Sequence, residues 1–192
     1  LNYEIKNSFI KAKIKSFGAE LNSLQKIEND FEYIWQANSQ YWARHSPVLF
    51  PIVGRLKNDS YFYKDKKYSL SQHGFARDKE FELLKKDEDF IEFSLKNDEK
   101  TLEIYPFLFE LNISYKLEKT KLIISYKVKN RSEDRLYFSI GAHPAFNISS
   151  GDFLDFEDVR TSKRYFLNDK GLIYKNQEVS FTENSLILDE EI

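Results

Sequence analysis

Three histidines interrupt an otherwise strand-like sequence, each in a short segment rich in groups that donate, accept or move a proton. His45 lies in Tyr41-Trp42-Ala43-Arg44-His45-Ser46-Pro47-Val48-Leu49-Phe50-Pro51-Ile52-Val53-Gly54-Arg55, where two prolines and a glycine break an apolar run. Such punctuation predicts irregular backbone beside buried side chains. His73 lies in Ser71-Gln72-His73-Gly74-Phe75-Ala76-Arg77-Asp78, which sets an amide, an imidazole and a guanidinium around a glycine. His143 lies in Ser139-Ile140-Gly141-Ala142-His143-Pro144-Ala145-Phe146-Asn147, where a strand pattern stops at Gly and a His-Pro step. Imidazole exchanges a proton near neutrality, and guanidinium offers oxygen anions a planar fork of donors. Mixed with Gln and aromatic rings, these groups suit a hydroxyl-rich or anionic small molecule such as a sugar or sugar phosphate. The blander alternatives are a loop histidine bonded to a carbonyl at His143 and a solvated turn at Arg44-His45.

Competing chemistries fall away quickly. There is no cysteine, which closes disulfide, thiolate-metal and cysteine-nucleophile chemistry. The histidines stand 28 and 70 residues apart with no HxH or HxxxH pair, so no metal site is expected. No GxSxG, GxxxxGK[ST] or GxGxxG motif occurs, which removes serine-hydrolase, P-loop and dinucleotide readings. Lys and Arg number 29 against 31 Asp and Glu, interleaved along the chain, so a nucleic-acid partner is not expected. No run approaches the roughly 18 apolar residues of a membrane span, and Leu1-Asn2-Tyr3-Glu4-Ile5-Lys6 lacks a secretory pattern. A cytoplasmic protein without a membrane partner is the expectation. Met is absent, position 1 included, as expected of a piece of a longer chain or of a sequence written without its modified residues.

The elements that must position these segments read as strands. Phe107, Phe109, Leu111, Ile113, Tyr115 and Leu117 alternate with more polar residues; after Glu118-Lys119-Thr120-Lys121 the alternation resumes with Leu122, Ile124, Tyr126 and Val128. A period of two flanking a polar turn predicts a long antiparallel hairpin. Phe31-Tyr33-Trp35, Ile91-Phe93-Leu95 and Leu136-Phe138-Ile140 predict further strands, and no helix-period segment of ten or more residues is evident. Leu186-Ile187-Leu188 predicts a last strand whose partners lie beyond the end of the sequence. An all-β, antiparallel sandwich or barrel follows, as one domain spanning residues 1–192.

Five segments in order then resemble the aldose 1-epimerase (galactose mutarotase-like) family, in its LacX-like and hexose-6-phosphate epimerase branch. They are Phe17-Gly18-Ala19-Glu20-Leu21, Tyr33-Ile34-Trp35-Gln36, residues 46–55, Gln72-His73-Gly74-Phe75-Ala76-Arg77, and Gly141-Ala142-His143-Pro144-Ala145-Phe146-Asn147. The resemblance implies a large antiparallel β-sandwich of the galactose mutarotase type, incomplete at its C-terminus here. It implies cofactor-free interconversion of α and β anomers of a hexose or hexose 6-phosphate. By that analogy His143 is the general acid that protonates the ring oxygen, while Arg55, Gln72, His73 and Arg77 hold the substrate, with the arginines clamping a phosphate. Trp35, Trp42 and Phe75 are available to stack on the sugar. The family's general base is a glutamate in a C-terminal motif that does not occur before Ile192; Glu178, Glu183 and Asp189 do not match its context, and no base is assigned. A non-catalytic carbohydrate-binding or sensing module on the same fold is the alternative.

Overall fold

The computed structural model describes residues 1–157, 162–179, 181 and 184–188. The described residues divide between two compact units, Leu1–Phe146 and Asn147–Ile192.

In the first unit, β1 (Asn2–Lys6), β2 (Ile10–Lys15) and β3 (Glu20–Lys26) form an antiparallel three-stranded sheet. Two residues, β4 (Val48–Leu49), follow a long irregular stretch, and β5 (Ser60–Tyr63) pairs with β6 (Lys66–Ser69) as a hairpin. The second sheet contains β7 (Glu82–Lys86), β8 (Phe90–Lys96), β9 (Phe109–Glu118) and β10 (Lys121–Asn130) in the order β10-β9-β8-β7, with the six-residue helix α1 (Glu99–Ile104) between β8 and β9. Asp98 caps that helix by accepting the Thr101 N–H at 2.6 Å, which satisfies one of the amides a helix start leaves open. The unit closes with β11 (Gly141–Ala142), paired to β4.

Alternation puts one face of each sheet into a shared core. Ile5, Ala12, Ile14 and Leu21 from the first sheet join Ile91, Phe93, Leu95, Phe109, Leu111, Ile113, Tyr115 and Leu117 from the second. Full burial of each large aliphatic or Phe side chain is worth roughly 1.5–3 kcal/mol, which makes this cluster the main source of stability. Tyr115, wholly interior, keeps its hydroxyl satisfied by donating to the Ala19 carbonyl at 2.6 Å. The predicted hairpin appears as β9 and β10 with Glu118 opposite Lys121. One detail departs from simple alternation: Glu110 and Asn112, on the polar face of β9, are buried. Glu110 meets Lys129 at 2.5 Å and Arg131 at 2.9 Å, and the Lys129 hydrogen bond holds its carboxyl below the ordinary range.

The second unit contains β12 (Phe153–Asp155), β13 (Lys163–Leu167), β14 (Ile173–Glu178) and β15 (Ser185–Ile187) as two antiparallel pairs, β12 with β15 and β13 with β14.

Three expectations need correction. Phe31-Tyr33-Trp35 is extended but makes only isolated bridges, Gln25 with Glu32 and Ile34 with Phe146, because the Glu32 carboxylate takes the Leu24 and Ile34 amides that a ladder would use. Residues 136–140 form no strand: ladder pairing with β4 begins only at Gly141, and Ser139 reaches the segment after β4 through a lone backbone hydrogen bond to the Pro51 carbonyl. The strand containing Leu186 and Ile187 has its partner inside the chain, at β12, with Phe153 opposite Ile187. Glu183 and Asp189 lie outside the described residues.

Candidate functional site

Residues 47–54 are the spine of the site. On one side β4 pairs with β11, Leu49 opposite Gly141 and Val48 opposite Ala142. The pairing continues irregularly: the His143 N–H donates to the Pro47 carbonyl at 3.1 Å, and the Ser139 N–H to the Pro51 carbonyl at 2.9 Å. On the other side Phe50 bridges Gly74 in parallel. The Phe50 carbonyl accepts the Phe75 and Ala76 N–H groups at 3.0 and 3.1 Å, and the Gly54 carbonyl accepts the His73 N–H at 2.8 Å. Gly74 is needed here, because its φ is +69° and a Cβ would collide with the Phe50 carbonyl. Two histidines 70 residues apart in sequence are therefore anchored to one short segment.

Their rings meet. The imidazole centroids of His73 and His143 are 6.4 Å apart at 72°. His143 is exposed and lies against the Trp42 indole, centroids 4.9 Å apart and tilted 40°. His73 is half-buried with a left-handed φ of +67°. Burial pushes its pKa down, reinforced by the Arg77 guanidinium, His143 and Arg44; the charged imidazolium is disfavoured because it loses hydration and gains cationic neighbours.

Arg77, in the turn after Phe75, donates from Nη2 to the Gln72 carbonyl at 2.8 Å. Its buried Nε has no hydrogen-bond partner and stands 3.6 Å from Asp78 Oδ2, too far for a bond. Burial and the nearby Arg44 hold its pKa below the usual guanidinium value. Arg44 in turn donates from Nη2 to Asp78 Oδ1 at 2.9 Å. Arg44, Arg77 and Asp78 line a cleft of about 480 Å³ with Lys15, Glu20 and Trp42. The cleft is thus cationic on balance and carries the indole that touches His143.

Of the residues expected at the site, His73, His143, Arg77 and the Gln72 backbone come together. Arg55 follows Gly54 directly but is exposed, with its guanidinium donating twice to Asp59, Nε to Oδ1 and Nη2 to Oδ2, both at 2.7 Å. Phe75 is a core residue, and Trp35 donates its indole N–H to the Trp42 carbonyl at 2.9 Å, which positions the Trp42 segment. His45 is not in a solvated turn. Its ring is partly buried beside Lys15, Nδ1 to Nζ 3.4 Å, while Glu20 Oε1 accepts the His45 and Ser46 amides at 2.9 and 3.1 Å. Trp42 was available by type, but Arg44, Lys15 and Glu20 gave no periodic signal that they face one cleft. Among the described residues no group of three or more His, Asp or Glu is arranged to hold a metal ion.

A family model described as Aldose 1-epimerase matches residues 2–191. The chain belongs to the aldose 1-epimerase family. Its relatives include the plasmid-encoded and chromosomal LacX proteins of Lactococcus lactis subsp. lactis, each 32% identical over 98% of this chain and 68% of the relative. The solved galactose mutarotase related enzyme of Lactobacillus acidophilus superposes with a TM-score of 0.89 at 39% identity, covering 100% of this chain and 66% of that one. A galactose mutarotase-like protein of Lactobacillus casei gives 0.88 at 32% identity, covering 98% and 67%. The all-β antiparallel architecture is therefore that of galactose mutarotase-like proteins, and the chain spans about two thirds of these relatives' length. No described helix is long and apolar enough to cross a membrane.

Proposed function

We propose that this family member takes part in a cofactor-free aldose 1-epimerase reaction on a hexose or hexose 6-phosphate, with His143 as general acid and His73, Gln72 and Arg77 holding the sugar. The observation that carries this reading is the convergence of His73 and His143 on residues 47–54, with ring centroids 6.4 Å apart beside a cationic cleft. Ring opening needs a proton delivered to the ring oxygen while the anomeric hydroxyl loses one; the C1–O bond of the ring breaks, the aldehyde face turns, and closure reverses the transfers. Imidazole as a residue type is suited to the first transfer, and His143 is exposed to a ligand. Trp42, packed on the His143 ring, limits the directions in which that proton can be presented.

The cleft favours a phosphorylated hexose, because Lys15, Arg44 and Arg77 all line it and guanidinium forks match phosphate oxygens. Arg55 is a weaker candidate for that role, since using its fork for phosphate requires giving up Asp59. No general base is assigned: Asp78 is held by Arg44, and Glu20 by two backbone amides. The test is anomeric exchange followed by NMR on the full-length protein with glucose 6-phosphate, glucose and galactose at neutral pH. Acceleration over buffer, largest for glucose 6-phosphate, is expected. Saturable sugar binding without acceleration would replace this reading with a carbohydrate-binding or sensing module.

A further inference from the structure

His73 makes a second contact with Gly54 besides its backbone bond. The Gly54 N–H donates to the imidazole Nδ1 at 3.1 Å, while the His73 N–H donates to the Gly54 carbonyl at 2.8 Å. A peptide N–H has a proton to give and no lone pair to offer, so the nitrogen that faces it must carry the lone pair. A neutral imidazole with an unprotonated Nδ1 carries its proton on Nε2. We propose that the Gly54 peptide fixes His73 as the Nε2–H tautomer, making this imidazole a neutral hydrogen-bond donor to the sugar and leaving proton transfer to His143. The second half of that statement rests on the epimerase reading; the tautomer itself does not.

The surroundings work in the same direction. Protonating Nδ1 would break the Gly54 bond and set two donors face to face. It would also add a third positive group to a half-buried pocket that already holds Arg77 from the following turn and Arg44 from the segment before residues 47–54, with the His143 ring 6.4 Å away. The backbone is shaped for this contact. Gly54 has a φ of +83°, and a Cβ there would meet nothing within 4 Å, so glycine is required by conformation and not by space. His73 is itself left-handed at +67°, a region uncommon for non-glycine residues though tolerated by His. The two unusual conformations face one another and are joined by both hydrogen bonds. Gly54 is accordingly a positioning residue that acts through His73.

The primary test is a long-range proton–nitrogen correlation spectrum of the imidazoles in full-length, histidine-labelled protein at neutral pH, assigned with His73 and His143 variants. The expected result is an unprotonated, hydrogen-bonded Nδ1 and a protonated Nε2 for His73. An Nδ1–H tautomer or an averaged pair of shifts would overturn the proposal. The second test compares His73→Gln, whose amide nitrogen overlays Nε2, with His73→Asn, whose amide overlays Nδ1. Affinity for glucose 6-phosphate is expected to fall about fivefold to tenfold further in the Asn variant, the range of one lost neutral hydrogen bond. Equal affinities, or tighter binding by Asn, would count against the donor role. The spectrum needs no turnover, so an absent exchange activity beside the expected spectrum removes the epimerase reading and supports the tautomer.

Discussion

His45 and His73 offer a controlled contrast, because both are partly buried imidazoles in glycine- or proline-broken segments and burial lowers the pKa of both. They differ in what surrounds the ring. His45 stands between Lys15 and a Glu20 carboxylate that is itself engaged by the His45 and Ser46 amides, so the cluster is satisfied from within. His73 gives one nitrogen to the Gly54 amide, and its ring lies 6.4 Å from a second, exposed imidazole. The same residue type is thus a brace in one place and part of a candidate site in the other. A brace has its hydrogen bonds closed by its own fold, whereas a binding group is oriented by the fold at one atom and left with another to offer a ligand.

The contrast breaks most sharply at His143. Replacing His143→Asn is expected to slow anomeric exchange by about 10²–10⁴-fold, the usual contribution of a positioned general acid, with sugar binding and thermal midpoint close to those of the parent protein. Retained turnover in that variant would remove His143 from the acid role. Next in size is Arg77→Ala, expected to raise KM about tenfold to a hundredfold for glucose 6-phosphate, as one charge-assisted contact predicts, and less for glucose. Equal losses for the two sugars would show that Arg77 does not read a phosphate.

On the brace side, Glu20→Gln keeps an oxygen for the His45 and Ser46 amides but removes the charge facing Lys15. Chemical denaturation is expected to show a loss of about 1 kcal/mol, since the cluster is only partly buried; an unchanged midpoint would mean that the ion pair is idle. The smallest effect is on pH dependence. Both depressed histidines bind a proton more readily in the unfolded chain, so stability rises with pH between their lowered folded pKa values and the unfolded value near 6.5. Thermal midpoints should therefore fall as the pH drops below about 6.5, and a profile flat down to the carboxylate range would deny that either ring is held neutral.

The long hairpin and the strand Phe90–Lys96 were legible in the sequence, because a sheet with one buried face writes its period directly into the order of residues. Phe31-Tyr33-Trp35 and Leu136-Phe138-Ile140 carried the same alternation without becoming strands. Alternation reports that a segment is extended and half-buried, whereas a strand also needs a neighbour with free amides, and Glu32 had already taken those nearest the first segment. Glu110 escaped notice for the converse reason, since a charged residue on a polar face gives no sign that Lys129 and Arg131 will fold over it.

By itself the sequence determined the all-β class, the three irregular segments that hold the histidines, and the residue types that point to a sugar or its phosphate. These properties are local, set by alternation, by Pro and Gly, and by the proton chemistry of imidazole and guanidinium. Only the tertiary structure decided that His73 and His143 share residues 47–54, that His45 braces Glu20, that Arg55 is tied to Asp59, and that Arg44 and Arg77 line one cleft. Those outcomes depend on which amide or carboxylate lies within about 3 Å of each side chain, the reach of a hydrogen bond. That distance is set by pairings between residues tens of positions apart, for which spacing along the chain carries no record.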